Sequence, residues 1–428
     1  MEKNSKLYNT YVEIMKSELV PAMGCTEPIA VAYCAAVARE VLGDIPKHIE
    51  IYASGNIIKN VKSVIVPHSG GLRGLEAAAA LGVLFGVAEK KLEVISEVTH
   101  AQELALARRM TKFVFSLEPI ESDSALDLKI ILRTEKHWAA VRITDDHTNI
   151  TEMVKDGKKF DLELSISDEE KEEAAEAPDC SLLTVADIFD FANTVDLDDV
   201  DEILARQVNY NTAIATEGLK NDYGARIGKI ILEREQGVRA MAKAMAAAGS
   251  DARMSGCDMP VIITSGSGNQ GLTASLPIIA YAEHYKKSRA EMLRALVVSN
   301  LVTLHLKRGI GRLSAYCGAV SAGAGAGAGI AYLLTGDLRA INHTIVNALA
   351  ISSGIVCDGA KASCAAKISM AVDAGIMGYD MFEAGCQFYG GDGLVSKGVE
   401  NTIRNISVLG NEGMKETDRK IIEIMTEC

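Results

Sequence analysis

The stretch LSAYCGAVSAGAGAGAGIAYLLTG, residues 313–336, decides what kind of protein this chain forms. It runs 24 residues without a charge, long enough for one helix to cross a bilayer. Yet only five of the 24 are Leu, Ile or Val, and ten of the twelve residues from Gly318 to Gly329 are Ala or Gly. Side chains that small let neighbouring backbones, or a bulky inorganic group, approach closely. A buried, tightly packed helix is the expectation, with a membrane span as the alternative. Cys317 stands just ahead of the Ala/Gly run.

Downstream, ISSGIVCDGAKASCAAK (351–367) sets Cys357 and Cys364 seven apart among small residues. On one straight helix they would share a face but sit about 10.5 Å apart along the axis. Gly359 can instead end one helix, and Ala362 or Ser363 can open the next. The spacing is then compatible with a metal site. Zinc would want a closer pair and a fourth N or S ligand nearby, and neither is present. Core packing is the plain alternative, for these two cysteines and for Cys317.

Around these stretches the chain reads as α+β. Residues 6–43 form two helices broken at PAMGCTEP. HIEIYASGN and SVIVPHSGG read as strands or strand-edge loops, LRGLEAAAALGVLFG as a helix, and a further helix lies near 100–110. FVFSLEP, LDLKIILRT, HWAAVRITD and TNITEMVKDGKKF alternate as strands, with a turn at Asp156-Gly157. An acidic linker at 167–179 precedes almost continuous helical signal to the end. The expected organisation is N-terminal helices (1–44) belonging to a large helical catalytic domain (180–428), with an α+β domain (45–166) inserted between them. At 428 residues, more than one domain is the ordinary outcome.

A net charge of −13 with no long basic run argues against nucleic acid or an anionic membrane as partner. The N-terminus carries acidic residues and no long apolar core, so no signal peptide is read there. The protein is expected in the cytoplasm, where nine cysteines serve as thiols or metal ligands rather than disulfides. The partner expected is a small molecule. A homodimer is compatible with the sequence, but no feature fixes the assembly.

Three motifs taken together, MGCTEPIA, CGAVSAGAGAGAG and IVCDGAKASCAAK, resemble the L-cysteine desulfidase family, relatives of the iron–sulfur L-serine dehydratases. The resemblance runs over nearly the whole chain, with the motifs in order. It implies a [4Fe–4S] cluster held by Cys317, Cys357 and Cys364, with one iron left open as a Lewis acid. It further implies elimination of HS⁻ from L-cysteine to 2-aminoacrylate, which hydrolyses to pyruvate and ammonia. L-Serine is the close alternative substrate, and pyridoxal phosphate is not needed. A reading of another class is an amino-acid-binding or redox-sensing protein with a structural cluster.

Two residues are candidate bases. Cys25 precedes Pro28 at a helix start, where the dipole favours a thiolate, and the resemblance makes it the base or a fourth, exchangeable iron ligand. His68 lies in the Gly-rich VPHSGGLRG, and a similar loop occurs in the serine dehydratase relatives. For the substrate carboxylate, TSGSGNQG (264–271) offers amides and hydroxyls ahead of a helix, with Ser265, Ser267, Gly268 and Asn269 as the candidates. It is neither a Walker A loop nor a Rossmann fingerprint. Lys307, Arg308 or Arg312 is placed to neutralise a carboxylate or the cluster. Cys34 is expected in the core. Cys180, Cys257 and Cys386 carry no assignment, and Cys428 is a candidate cap for the open iron.

Overall fold

The computed structural model describes residues 1–122, 124–160, 178–311 and 313–426. Arg312, Cys428 and all of the acidic linker except Pro178 and Asp179 lie outside the described residues. The chain opens with α1 (Lys6–Glu18), whose N-cap Ser5 accepts from the Tyr8 N–H. Strand β1 (Pro21–Met23) leads into α2 (Thr26–Leu42). Then come β2 (His48–Ser54), α3 (Gly55–Val61), α4 (Gly74–Phe85) and α5 (His100–Met110). Strands β3 (Val114–Ile120), β4 (Asp127–Arg133), β5 (Trp138–Thr144), β6 (Ile150–Lys155) and β7 (Lys158–Lys159) follow. They form a six-stranded sheet of order β3-β2-β4-β5-β6-β7, parallel between β2 and β3 and antiparallel elsewhere. The turn at Asp156 (φ 50°) and Gly157 (φ 79°) is left-handed at both positions, which suits a two-residue hairpin.

The remainder is almost wholly helical. Its elements are α6 (Val185–Thr194), α7 (Asp201–Lys220), α8 (Ile227–Arg234) and α9 (Val238–Met254), then a strand, β8 (Pro260–Ile262). After it come α10 (Gly268–His284), α11 (Arg289–Ile310), α12 (Gly318–Thr335), α13 (Leu338–Ser352), α14 (Ser363–Glu383), α15 (Val399–Val408) and α16 (Lys415–Thr426). The fold is α+β with a large helical part.

The two N-terminal helices go separate ways. Helix α1 packs on the helical part, where Tyr8 and Tyr11 set their rings 5.4 and 5.2 Å from that of Phe191. Helix α2 lies instead on the sheet. Its Cys34 is buried with Sγ 3.4 Å from the Val141 carbonyl of β5, and its Ala32 carbonyl faces Gly82 of α4. Between these helices β1 pairs antiparallel with β8, Ala22 opposite Val261. That short ribbon carries Cys25 to the segment that begins at Thr264.

Helix α12 is the uncharged stretch, and 83% of it is buried inside the protein. Gly323 faces Ala371 of α14, and Gly327 faces Gly375 one turn further on. A Cβ at Gly323 would stand 2.3 Å from the Ala371 carbonyl oxygen, so only glycine permits the approach. On its other side Gly325 abuts α11, where a Cβ would meet Thr303 Oγ1 at 2.2 Å. The two α12–α14 pairings advance together, so these helices run parallel and start at the same end. Cys317 caps one and Cys364 lies in the first turn of the other. Where the sequence suggested a first helix ending at Gly359, α13 stops at Ser352. Residues 353–362 form a loop that reaches back to Tyr316, which bridges to Val356. Alongside it the Cys317 N–H donates to the Ile355 carbonyl (3.2 Å) and the Cys357 N–H to that of Ala315 (2.7 Å).

Gly323→Ala forces a methyl into that contact and should destabilise the fold by about 2–3 kcal/mol. Gly354→Ala, with nothing within 4 Å of the added Cβ, should stay within about 0.5 kcal/mol of the parent. Denaturant unfolding of both variants checks the contrast.

Candidate active site

Four helix N-termini open onto one cavity. Helix α2 starts after Cys25, α10 after Ser267 and α12 after Cys317, while Cys364 sits in the first turn of α14. No N-cap side chain hydrogen-bonds any of these four ends. Their free N–H groups give the cavity a positive character suited to anions.

Cys317, Cys357 and Cys364 all line this cavity, together with Cys25. Cys317 is buried, and Cys357 and Cys364 are half-buried. Burial, reinforced by the charges of Cys357 and Cys364, pushes the Cys317 thiol up to about 12. The charge of Cys357 thus bears on both Cys317 and Cys364. Lys367 stands beside them. Burial works against its charge, but Asp358, Cys317 and Cys364 together raise it. Among the described residues no three His, Cys, Asp or Glu side chains converge tightly enough to hold a single metal ion. A cubane cluster asks for something wider, because each thiolate takes its own iron and the ligands surround a volume. Three thiols lining one cavity beside the small residues Gly318, Ala319, Gly359 and Ala360 fit that demand.

Cys25 departs from the expected thiolate. Burial, then the charge of Glu27, push it well above the usual thiol range. Its Sγ donates to Glu27 Oε2 at 2.9 Å, so the resting group is a neutral thiol. Glu27 Oε1 accepts from Asn60 Nδ2 at 3.1 Å, and His147 Nε2 stands 3.9 Å away. Burial opposes ionisation of Glu27, yet His147 and Cys25 hold it down to about 2. The Thr26 hydroxyl donates to the Gly266 carbonyl (2.9 Å) and so ties this constellation to the 264–271 segment.

That segment turns tightly through Ser265 (φ 51°) and Gly266 (φ 71°), with Thr264 and Ser267 exchanging backbone hydrogen bonds of 3.2 Å. Ser265, Ser267 and Asn269 line the cavity; Gly268 does not. It stands behind, where a Cβ would lie 2.4 Å from Arg253 Nε. Arg253, from the last turn of α9, lines the cavity and is 2% exposed. Lys59 and Lys307 also line it, Lys59 paired with Asp418 at 2.6 Å.

The other nominated residues go elsewhere. His68 is not in the cavity lining. It sits in a left-handed turn (φ 53°), with its N–H on Asp258 (3.0 Å) and its ring 3.6 Å from the same carboxylate. Arg308 donates to the Cys180 carbonyl at 2.9 Å. Glu27, His147, Asn60, Arg253 and Lys59 were not nominated from sequence. Only Glu27 carried a signal, as the acid inside GCTEP itself.

Glu27 also yields a stability test. Its carboxyl lies below its ordinary 4.5, at about 2, so its stabilisation is complete above pH 4.5 and is lost as pH falls towards 2. Over that window the parent should lose about 3 kcal/mol that Glu27→Gln does not. Denaturant midpoints measured as a function of pH report the difference.

Residues 89–423 match the family described as serine dehydratase alpha chain. The chain is 53% identical to a UPF0597 protein of Desulfitobacterium hafniense, covering 99% of this chain and 98% of that one. It is 49% identical to one from Lachnoclostridium phytofermentans (98% and 100% covered) and 47% to one from Finegoldia magna (97% and 99%). With four-fifths of its length matched and relatives aligned end to end, this chain belongs to the serine dehydratase alpha chain family.

Proposed function

We propose that the protein is an iron–sulfur-dependent lyase that removes the β-substituent of a small L-amino acid. L-Cysteine is the proposed substrate, giving sulfide, pyruvate and ammonia, and L-serine is the close alternative. One observation carries the reading: three cysteines from separate segments share a cavity with Cys25 at the starts of four helices. Family membership supports lyase chemistry on an amino acid. The preference for L-cysteine rests on the resemblance of the three cysteine motifs to the desulfidases.

Cys317, Cys357 and Cys364 would hold a [4Fe–4S] cluster, which when bound supplies a Lewis-acid iron for the leaving group. The start of α10, with Ser265, Ser267 and Asn269, receives the carboxylate on backbone N–H groups and short polar side chains. Cys25 and Glu27 form the proton-handling pair. The thiol gives up its proton to solvent and the freed sulfur takes the Cα proton. Glu27, held at about 2 and so a poor proton acceptor, orients Sγ through the hydrogen bond it accepts. His147 and Asn60 hold the Glu27 carboxylate in place for that contact. Product 2-aminoacrylate then hydrolyses to pyruvate and ammonia. No pyridoxal phosphate enters this scheme. We infer a cytoplasmic protein acting on a small molecule, without nucleic acid or membrane as partner, and compatible with a homodimer.

The test is anaerobic reconstitution with iron and sulfide, followed by assay of sulfide and pyruvate from L-cysteine beside pyruvate from L-serine. The parent should take up a cluster and release both products. Cys317→Ala should lose cluster absorption and turnover together. Cys25→Ala should keep the absorption and lose turnover at least about 100-fold. A parent that takes up the cluster and turns over neither amino acid would move the reading to a sensor.

A further inference from the structure

We propose that Arg253 is the charged half of the substrate's carboxylate site and restricts substrates to amino acids with a free carboxylate. This rests on the reading of the cavity as an amino-acid lyase site. Among the described residues four side-chain cations line that cavity. Lys59 is paired with Asp418, Lys367 with Asp358, and Lys307 lies buried at the end of α11. Arg253 differs. Among the described residues no carboxylate lies within ion-pair distance of it. Its one side-chain hydrogen bond runs from Nη1 to Asn269 Oδ1, at 3.0 Å. Its Nε is buried against Gly268, away from the cavity, and has no acceptor.

A guanidinium 2% exposed with no carboxylate beside it is costly unless an anion joins it. The one carboxylate lining the cavity among the described residues cannot serve, because Glu27 is already engaged by Cys25, Asn60 and His147. Among the described residues nothing supplies that anion, and a substrate carboxylate would. A planar fork of N–H donors matches a carboxylate in two-point contact, which a lysine does not reproduce. The position is built for it. Asn269, in the first turn of α10, fixes the fork, and Gly268 leaves the space that Arg253 Nε and Cζ occupy. The Ser265–Asn269 segment and Arg253 thus address one anion from two sides, one with a helix end and the other with a full charge.

The anion could also be the cluster, and the experiment separates the two. The probe is L-alanine, which has no leaving group, set against L-alaninamide, which has no carboxylate. Calorimetric titration of the anaerobic holoenzyme should show L-alanine binding at least ten-fold tighter than the amide. Arg253→Gln should erase that preference with iron content unchanged, and Arg253→Lys should restore part of it. Equal affinity of the parent for the two probes overturns the proposal and needs no variant. So does Arg253→Gln that keeps the preference; if it loses iron instead, Arg253 is a counter-charge to the cluster. A preserved preference with no product from L-cysteine or L-serine sinks the lyase reading and leaves Arg253 as a carboxylate site.

Discussion

The close contact between α12 and α14 is the constraint on which the site depends. Gly323 and Gly327 let two helix backbones touch, against Ala371 and Gly375, and the same glycine-rich helix accepts α11 at Gly325. Side chains of ordinary size would push the helices apart by several ångströms. With them apart, Cys317 and Cys364 would not start side by side. The parallel arrangement matters equally, because it brings two positive helix ends rather than one of each sign to the cysteines. The Tyr316–Val356 bridge then adds Cys357 from a third segment. Packing without side chains is thus what gathers side chains of chemical interest.

The electrostatics of the cavity follow from this gathering. Four helix N-termini and several buried cations face, among the described residues, a single lining carboxylate, Glu27, so the site is organised for anions. A thiolate-bound cluster and an amino-acid carboxylate are both anionic, and both would reduce the cost of burying Arg253 and the lysines. Glu27 has the opposite task. Held ionised by His147, it keeps the neighbouring Cys25 neutral at rest. The sheet therefore contributes to the chemistry, because His147 lies in the loop after β5, and α2, which begins at Cys25, packs on that sheet.

Much of this was legible in the sequence, and the failures have physical causes. Alternation and turn residues marked the strands from His48 onward, and the Ala/Gly run announced a close helix crossing before any partner was known. The strands β1 and β8 escaped notice because three-residue elements carry no periodicity. Their pairing is nonetheless what brings Cys25 to Ser265. The thiolate expected at Cys25 rested on a helix dipole worth about 1 kcal/mol at most sites, which burial beside a carboxylate outweighs. Arg253, Lys59 and His147 were invisible for another reason. Each reaches the cavity from an element whose own sequence shows only an ordinary charged residue. His68 misled because a glycine-rich loop with a histidine looks catalytic wherever it lies, and this one faces Asp258.

The measurement that bears most directly on the account is Mössbauer spectroscopy of protein reconstituted anaerobically with ⁵⁷Fe, before and after L-cysteine is added. Three cysteine ligands predict four irons in a three-to-one pattern, with the single distinct iron shifting when substrate binds. Four equivalent irons that substrate leaves unchanged would mean a closed, structural cluster. That result would contradict the assignment of an open iron to this cavity.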